Sequence, residues 1–268
     1  MPYLKVEKGV RIFFEDLNSC GKPVLFIHGW PVNHKMFEYQ FNQLPKKGFR
    51  CIAIDIRGFG KSDKPWEGYC YNRLADDVLC VIETLGLDDI TLVGFSMGGA
   101  IATRYMARYA GYGVSKLALV SAAVPLFTQR PDYPYGIPIS QVNDLICQTY
   151  TDRPKMLNDF GSKFFASNVS GEFRNWFNGL GLEASGHATA MTAISLRDED
   201  LRKDAQQIFV PTAIFAGLQD QIVPFANAEQ MHHYVDGSIL IPFKLSGHGL
   251  FFDELKKFNH YLTQFLCR

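Results

Sequence analysis

At 268 residues the chain is long enough to bury a large core as one domain, with room for one insertion. Its 27 basic and 27 acidic residues cancel, so no global field recruits nucleic acid, an anionic membrane or a charged substrate. The longest apolar stretches are strand-length, which excludes a transmembrane helix, and Met1–Glu7 lacks the basic-then-apolar order of a signal peptide. Six cysteines (20, 51, 70, 80, 147, 267) form no C-x-x-C pair. With no export signal in view, reduced thiols and a cytoplasmic location are expected, with Cys51 and Cys80 as small buried hydrophobes. Aromatics make up 14%, including 22 phenylalanines, which predicts a ring-walled pocket beside a ring-filled core.

Strand and helix patterns alternate along the chain. Two opening strands, over about 3–7 and 11–16, read as a hairpin turning near Lys8-Gly9. Val24–Ile27 and Cys51–Ile54 follow as apolar runs, with a helical stretch over about 34–46 between them. A helix over about 71–86 precedes the β-branched run Ile90–Val93, and a helix over about 97–110 precedes Leu117–Val120. After Ser121 the alternation stops. Residues 122–207 read as helical, rich in aromatics and punctuated by Pro125, Pro131, Pro134, Pro138 and Pro154. Strands resume at Thr212–Ala216 and Ile239–Phe243, with helices over about 225–235 and 250–266. The pattern predicts an α/β protein with a mostly parallel central sheet flanked by helices. Residues 1–121 and 208–268 form its core, and 122–207 a helical cap over the carboxyl ends of the strands.

Gly94-Phe95-Ser96-Met97-Gly98 fits the G-x-S-x-G pattern of a serine on a sharp strand-to-helix turn. Glycine on either side removes the Cβ atoms that would collide there. A serine hydroxyl is a poor nucleophile unless a base takes its proton and a third group orients that base. An acid and then a histidine are expected in chain order, in loops beyond strands. Asp220 and His248 meet that requirement. Asp236 and Asp253 fall at a helix end and within a helix, and His232 and His233 are adjacent inside one. His34 and His260 are expected at the surface, and His187 is a candidate for ligand contact. No H-x-x-x-H or C-x-x-C spacing supports a metal or cofactor.

His28-Gly29-Trp30 follows a strand at the same end of the sheet as Ser96. The backbone N–H groups of Trp30 and Met97 are therefore the candidate oxyanion donors, and His28 reads as a residue positioning this loop. Pro31 has no N–H, and its ring biases Trp30 toward extended backbone. That aims the Trp30 carbonyl as an acceptor for the extra hydrogen of hydrogen peroxide.

These segments resemble the α/β-hydrolases, more narrowly the bacterial arylesterases, cofactor-free haloperoxidases and perhydrolases. The resemblance spans almost the whole chain. It rests on His28-Gly29-Trp30-Pro31, Asp55–Asp63, Gly94–Gly99, Asp220–Pro224, Gly247-His248-Gly249 and the proline-rich stretch Pro125–Pro138. It implies a triad of Ser96, Asp220 and His248, an oxyanion hole at Trp30 and Met97, and a structural role for Asp55–Asp63. The substrate pocket is expected around Pro31, Phe127, Phe160, Phe164 and Val223. Phe160, Phe164, Phe165, Phe173, Trp176 and Phe177 replace a more typical mix, so substrate preference does not carry over.

The expected function is a serine carboxylesterase or arylesterase acting on small acyl or aryl esters through an acyl-enzyme, with perhydrolase side activity. Alternatives are peroxide or lactam chemistry as the main activity, or a non-catalytic ligand receptor. Serine rather than aspartate at 96 separates the chain from haloalkane dehalogenases and epoxide hydrolases of this fold. A small-molecule ester is the expected partner, with no nucleic acid and no membrane, and the group often forms homo-oligomers.

Overall fold

The computed structural model describes residues 2–18 and 20–268; Met1 and Ser19 lie outside the described residues. The strands are β1 (Tyr3–Glu7), β2 (Val10–Asp16), β3 (Lys22–Ile27), β4 (Phe49–Ile54), β5 (Ile90–Phe95), β6 (Val114–Val120), β7 (Thr212–Gly217) and β8 (Ile239–Phe243). They form one sheet in the order β1-β2-β4-β3-β5-β6-β7-β8. The opening hairpin is antiparallel, as is β2 against β4. Every later pairing is parallel. β5 and β7 are buried at every position, because helices cover both faces of the sheet, and so they read as continuous apolar runs.

Between strands lie α1 (Glu38–Phe41), α2 (Tyr71–Thr84) and α3 (Met97–Arg108). α2 buries Leu74, Ala75, Val78, Val81 and Ile82, a stripe at helical spacing that seats it on the sheet. Between β6 and β7 come α4 (Ile139–Thr151), α5 (Arg153–Gly161), α6 (Gly171–Leu182), α7 (Gly186–Asp198) and α8 (Arg202–Ala205). Asp152, Ser170 and Ser185 cap three of them, accepting from the N–H groups of Lys155, Phe173 and Ala188, which satisfies first-turn donors. α9 (Phe225–Tyr234) joins β7 to β8, and α10 (Leu250–Asp253) and α11 (Leu255–Cys267) close the chain.

Two expected helices are broken. The 34–46 stretch splits into a 3-10 turn at His34–Phe37, α1, and a second 3-10 turn at Leu44–Lys47. Pro45 has no N–H to reach the Phe41 carbonyl, so the α ladder stops there. The last helix breaks at Glu254, whose carboxylate accepts from the Leu245 N–H (3.0 Å) and the Ser246 hydroxyl (2.7 Å).

His34 lies inside the protein, contrary to the surface position expected from sequence. Its ring sits between the carboxylates of Asp55 (2.7 Å) and Glu15 (3.4 Å), and these charges offset the cost of its burial. Asp55 also accepts from the backbone N–H groups of His34 and Lys61. Buried Arg57 forks onto Asp77 (2.6 and 2.7 Å), so the Asp55–Asp63 segment ties strands and helices together. Cys51 is buried and Cys80 half-buried, and all six thiols are free. Among the described residues, no helix is long and apolar enough to cross a membrane.

Candidate active site

Ser96 sits between β5 and α3 with φ 53° and ψ −117°. Such backbone costs a non-glycine residue about 1–3 kcal/mol and persists only where its surroundings enforce it. The Ser96 N–H donates to the Val120 carbonyl (2.9 Å), while its carbonyl accepts from Gly99 (2.9 Å) and Ala123 (3.0 Å). A Cβ at Gly94 would stand 2.5 Å from the Gly98 carbonyl, and one at Gly98 would stand 2.2 Å from the Ile27 carbonyl. The turn therefore closes only with glycine at both places. It also leaves the Met97 N–H in the first turn of α3, where no intrahelical acceptor exists.

Sheet register assembles the rest. Ile27 pairs with Gly94, so Trp30 and Met97 each lie three residues beyond a paired position. Phe95 pairs with Val120, Val120 with Phe215, and Gly217 with Phe243. The loops after β7 and β8, carrying Asp220 and His248, thus emerge at the same edge. Asp220 Oδ2 lies 2.7 Å from His248 Nδ1, and Oδ1 accepts from the Ile222 (2.8 Å) and Val223 (2.9 Å) N–H groups. A carboxylate only accepts, so Nδ1 carries a proton, and in the neutral ring the lone pair falls on Nε2. That Nε2 is buried and has no hydrogen-bond partner among the described residues.

The imidazole is flanked by aromatic rings. The Phe95 and Phe164 rings approach it at 4.9 and 4.8 Å, and the Ser121 hydroxyl donates to the His248 carbonyl (2.9 Å). Its side chain is 0% exposed. Beside Ser96 is a cavity lined by Trp30, Phe127 and Phe160, by Val142 and Leu145 of α4, by Ala193 and Leu196 of α7, and by Ile222. Its volume is about 10 Å³, about the least that holds a single water molecule. The Trp30 indole N–H donates to the Thr189 carbonyl (2.9 Å), which ties this wall to α7.

The family described as alpha/beta hydrolase fold matches residues 22–255. The chain belongs to the α/β-hydrolase family. The AB hydrolase superfamily protein YisY of Bacillus subtilis is 53% identical to it over 98% of each chain. The bifunctional esterase/perhydrolase DCH of Acinetobacter calcoaceticus is 32% identical over 99% of each. The solved esterase EaEST of Exiguobacterium antarcticum has a TM-score of 0.97 at 46% identity, covering 99% of each chain. This α/β-hydrolase thus falls in the group of esterases, perhydrolases and non-heme haloperoxidases.

The other candidate residues of this α/β-hydrolase fall into distinct places. Phe127 and Phe160 line the Ser96 cavity. Pro31 and Phe164 line a small neighbouring space on the other side of Phe160, with Phe164 packed edge-on against His248. Val223 is buried but is absent from the cavity wall; its N–H is turned to Asp220 and its neighbour Ile222 faces the cavity. Val142, Leu145, Ala193 and Leu196 were not foreseen. Their i, i+3 spacing marks an apolar stripe on each helix, yet nothing in sequence says that those stripes face Ser96.

His28 is fully buried, its Nδ1 2.9 Å from the Gly29 carbonyl and its Nε2 accepting from the Ile56 N–H (3.0 Å). It braces the Trp30 loop. His187 stacks on Trp66 at 3.7 Å and is absent from the cavity wall. His232, His233, Asp236 and His260 are exposed. Asp253 binds backbone N–H groups of Gly247 and Ala166 rather than an imidazole. Among the described residues, no three His, Cys, Asp or Glu side chains converge as a metal site requires. A larger groove of about 770 Å³ lies between α1 and α11 and shares no residue with the Ser96 cavity.

Proposed function

We propose that this α/β-hydrolase is a serine carboxylic ester hydrolase acting through an acyl-enzyme on Ser96. The observation carrying this reading is the orphaned, buried Nε2 of His248, whose other nitrogen is fixed by Asp220. A buried acceptor without a partner costs about 1–3 kcal/mol, and a waiting proton-transfer role accounts for its retention.

Ser96 Oγ attacks the ester carbonyl carbon as His248 Nε2 takes the hydroxyl proton. The oxyanion is held by the N–H groups of Trp30 and Met97, each contributing about 2.7–4 kcal/mol. His248 then returns the proton to the departing alcohol. Water enters, yields a proton to His248 and attacks the acyl carbon, and Ser96 leaves as the hydroxyl. Asp220 holds the imidazole in the productive tautomer and stabilises its charged form.

Fluorophosphonate labelling followed by peptide mass spectrometry tests the reading: one adduct, on Ser96, is expected. An adduct on another residue, or none with full esterase activity, removes the proposal.

Hydrogen peroxide in place of water gives a peracid from the same acyl-enzyme. The relative DCH, named a bifunctional esterase/perhydrolase, and Pro31 beside the oxyanion donor support this second activity. Six free thiols, four of them exposed, are in keeping with a reducing compartment, and we place the enzyme in the cytoplasm.

A further inference from the structure

A second space of about 320 Å³ lies against the Ser96 cavity, and the two share the side chains of Phe127, Leu145, Phe160 and Ile222. Farther out its wall changes character. Gln141, Asp144, Gln148, Asp159, Lys163 and Gln221 stand around it, all exposed. Asp159 pairs with Lys155 one helical turn earlier, and Lys163 adds a second ammonium against the two carboxylates. With Lys155 just outside the wall counted, the charges cancel, and three carboxamides remain as neutral donors and acceptors.

The order of chemical events decides which half of an ester lies where. With Ser96 as nucleophile, the acyl half stays bonded while the alcohol half departs and water arrives. The departing half is best served by the roomy space and the retained half by the small one that Ser96 lines. The inner cavity offers about 10 Å³ between apolar walls against about 320 Å³ outside, which suits a group of about one water's or one methyl's size. Phe160, half-buried and edge-on to Trp30 at 4.9 Å, stands between the two compartments.

We propose that the outer space is an alcohol subsite, and that the substrates are short-acyl esters, acetates foremost, of neutral hydroxyl-rich alcohols such as polyols and sugars. The proposal rests on the serine hydrolase reading above. Its recognition groups are the carboxamides of Gln141, Gln148 and Gln221, which hydrogen-bond hydroxyls without selecting for charge.

The test compares kcat/KM for ethyl acetate, sorbitol monoacetate, acetylcholine and sorbitol monohexanoate. Sorbitol monoacetate should exceed both ethyl acetate and acetylcholine by about tenfold, the yield of one or two net hydrogen bonds. Sorbitol monohexanoate should fall about tenfold below the monoacetate, since its chain overfills the inner cavity. Gln141→Leu, Gln148→Leu and Gln221→Leu keep side-chain size at exposed positions while deleting the polar atoms. Each should lower the sorbitol-to-ethyl ratio, and the triple variant should bring it near one, with unchanged circular dichroism as the folding control. Equal rates for the sorbitol and ethyl acetates, or a ratio that survives all three substitutions, overturn the subsite. Preference for acetylcholine overturns the neutral-alcohol assignment, and hexanoate matching acetate overturns the acyl assignment. Hydrolysis that persists in Ser96→Ala overturns the serine hydrolase reading instead.

Discussion

The carboxylate of Asp253 accepts a hydrogen bond of 2.8 Å from the N–H of Gly247, the residue preceding His248. The same carboxylate takes the N–H groups of Ala166 (2.9 Å) and Ser167 (3.0 Å) and the Ser167 hydroxyl (2.5 Å). Gly249 in turn donates to the Phe164 carbonyl (2.8 Å). The 164–167 segment and the histidine loop are thus stitched together on both sides of His248. Asp253→Asn replaces one acceptor oxygen by an NH₂ that opposes two donors. It should cost about 1–3 kcal/mol of stability and lower kcat, while leaving the apparent pKa of the pH–rate profile in place. Urea titrations and steady-state rates from pH 5 to 9 check this; a displaced profile would assign Asp253 to proton transfer.

Under the serine hydrolase proposal, Ser96 trades stability for chemistry. Ser96→Gly should raise the unfolding free energy by about 1 kcal/mol, because glycine takes φ 53° without the Cβ penalty. It should also reduce esterase turnover by about four to six orders of magnitude. Thermal melts and nitrophenyl acetate assays of the two proteins side by side read both effects, and an unchanged or lowered melting temperature contradicts the strain argument.

Asp220→Asn presents an NH₂ to His248 Nδ1 and so pins the ring proton on Nε2, where the base lone pair is needed. A fall in kcat of about 10⁴ is expected, with Ser96→Ala adding little to it in the double variant. Additive losses in that cycle would mean that the two residues act independently.

Acid should weaken the protein through His28. Burial lowers its pKa to about 4, against an opposing pull from Asp55, whereas in the unfolded chain it titrates near 6.5. The unfolded state therefore binds the proton first as pH falls. The stability contributed by neutral His28 is fully present above pH 6.5 and is lost as pH drops toward 4, by about 3 kcal/mol. His28→Gln, which keeps an acceptor for the Ile56 N–H, should flatten most of that fall. Denaturant midpoints measured at pH 7.5, 6 and 4.5 decide the matter.

Pro31→Leu should shift partition of the acyl-enzyme from peroxide toward water, since Pro31 restricts the backbone of Trp30, the proposed oxyanion donor. Peracid and carboxylate yields from an acetate ester at fixed peroxide give the ratio directly. Equal ratios in the two proteins leave Pro31 as a loop stiffener.

The strands were legible because β5 and β7 have both faces covered and so appear as unbroken apolar runs. The two broken helices were not. One break comes from an N–H missing at Pro45, which sequence does contain. The other comes from Glu254 reaching Leu245 and Ser246, a tertiary contact that no helical pattern announces. His34 reads as an ordinary polar residue until strand pairing brings Glu15 and Asp55 around it. In the site, residue spacing identifies the turn at Ser96 and the pairing of Asp220 with His248. The cavity wall depends on how α4 and α7 dock, and their apolar stripes are indistinguishable from core.

The hydrogen bond from Leu201 to the Pro125 carbonyl (2.9 Å) brings the two ends of the 126–200 stretch side by side. Ser121 and Ala123, just upstream of that junction, already hold His248 and Ser96. The stretch from 126 to 200 is therefore entered and left through one doorway, and inside it Phe164, Ala166 and Ser167 bind the histidine loop through Gly249 and Asp253. Transplanting that stretch from another family member, with both junctions and the 164–167 segment kept, should exchange substrate range while the Ser96, Asp220 and His248 geometry beneath it stays intact. Splicing a few residues earlier should disable both.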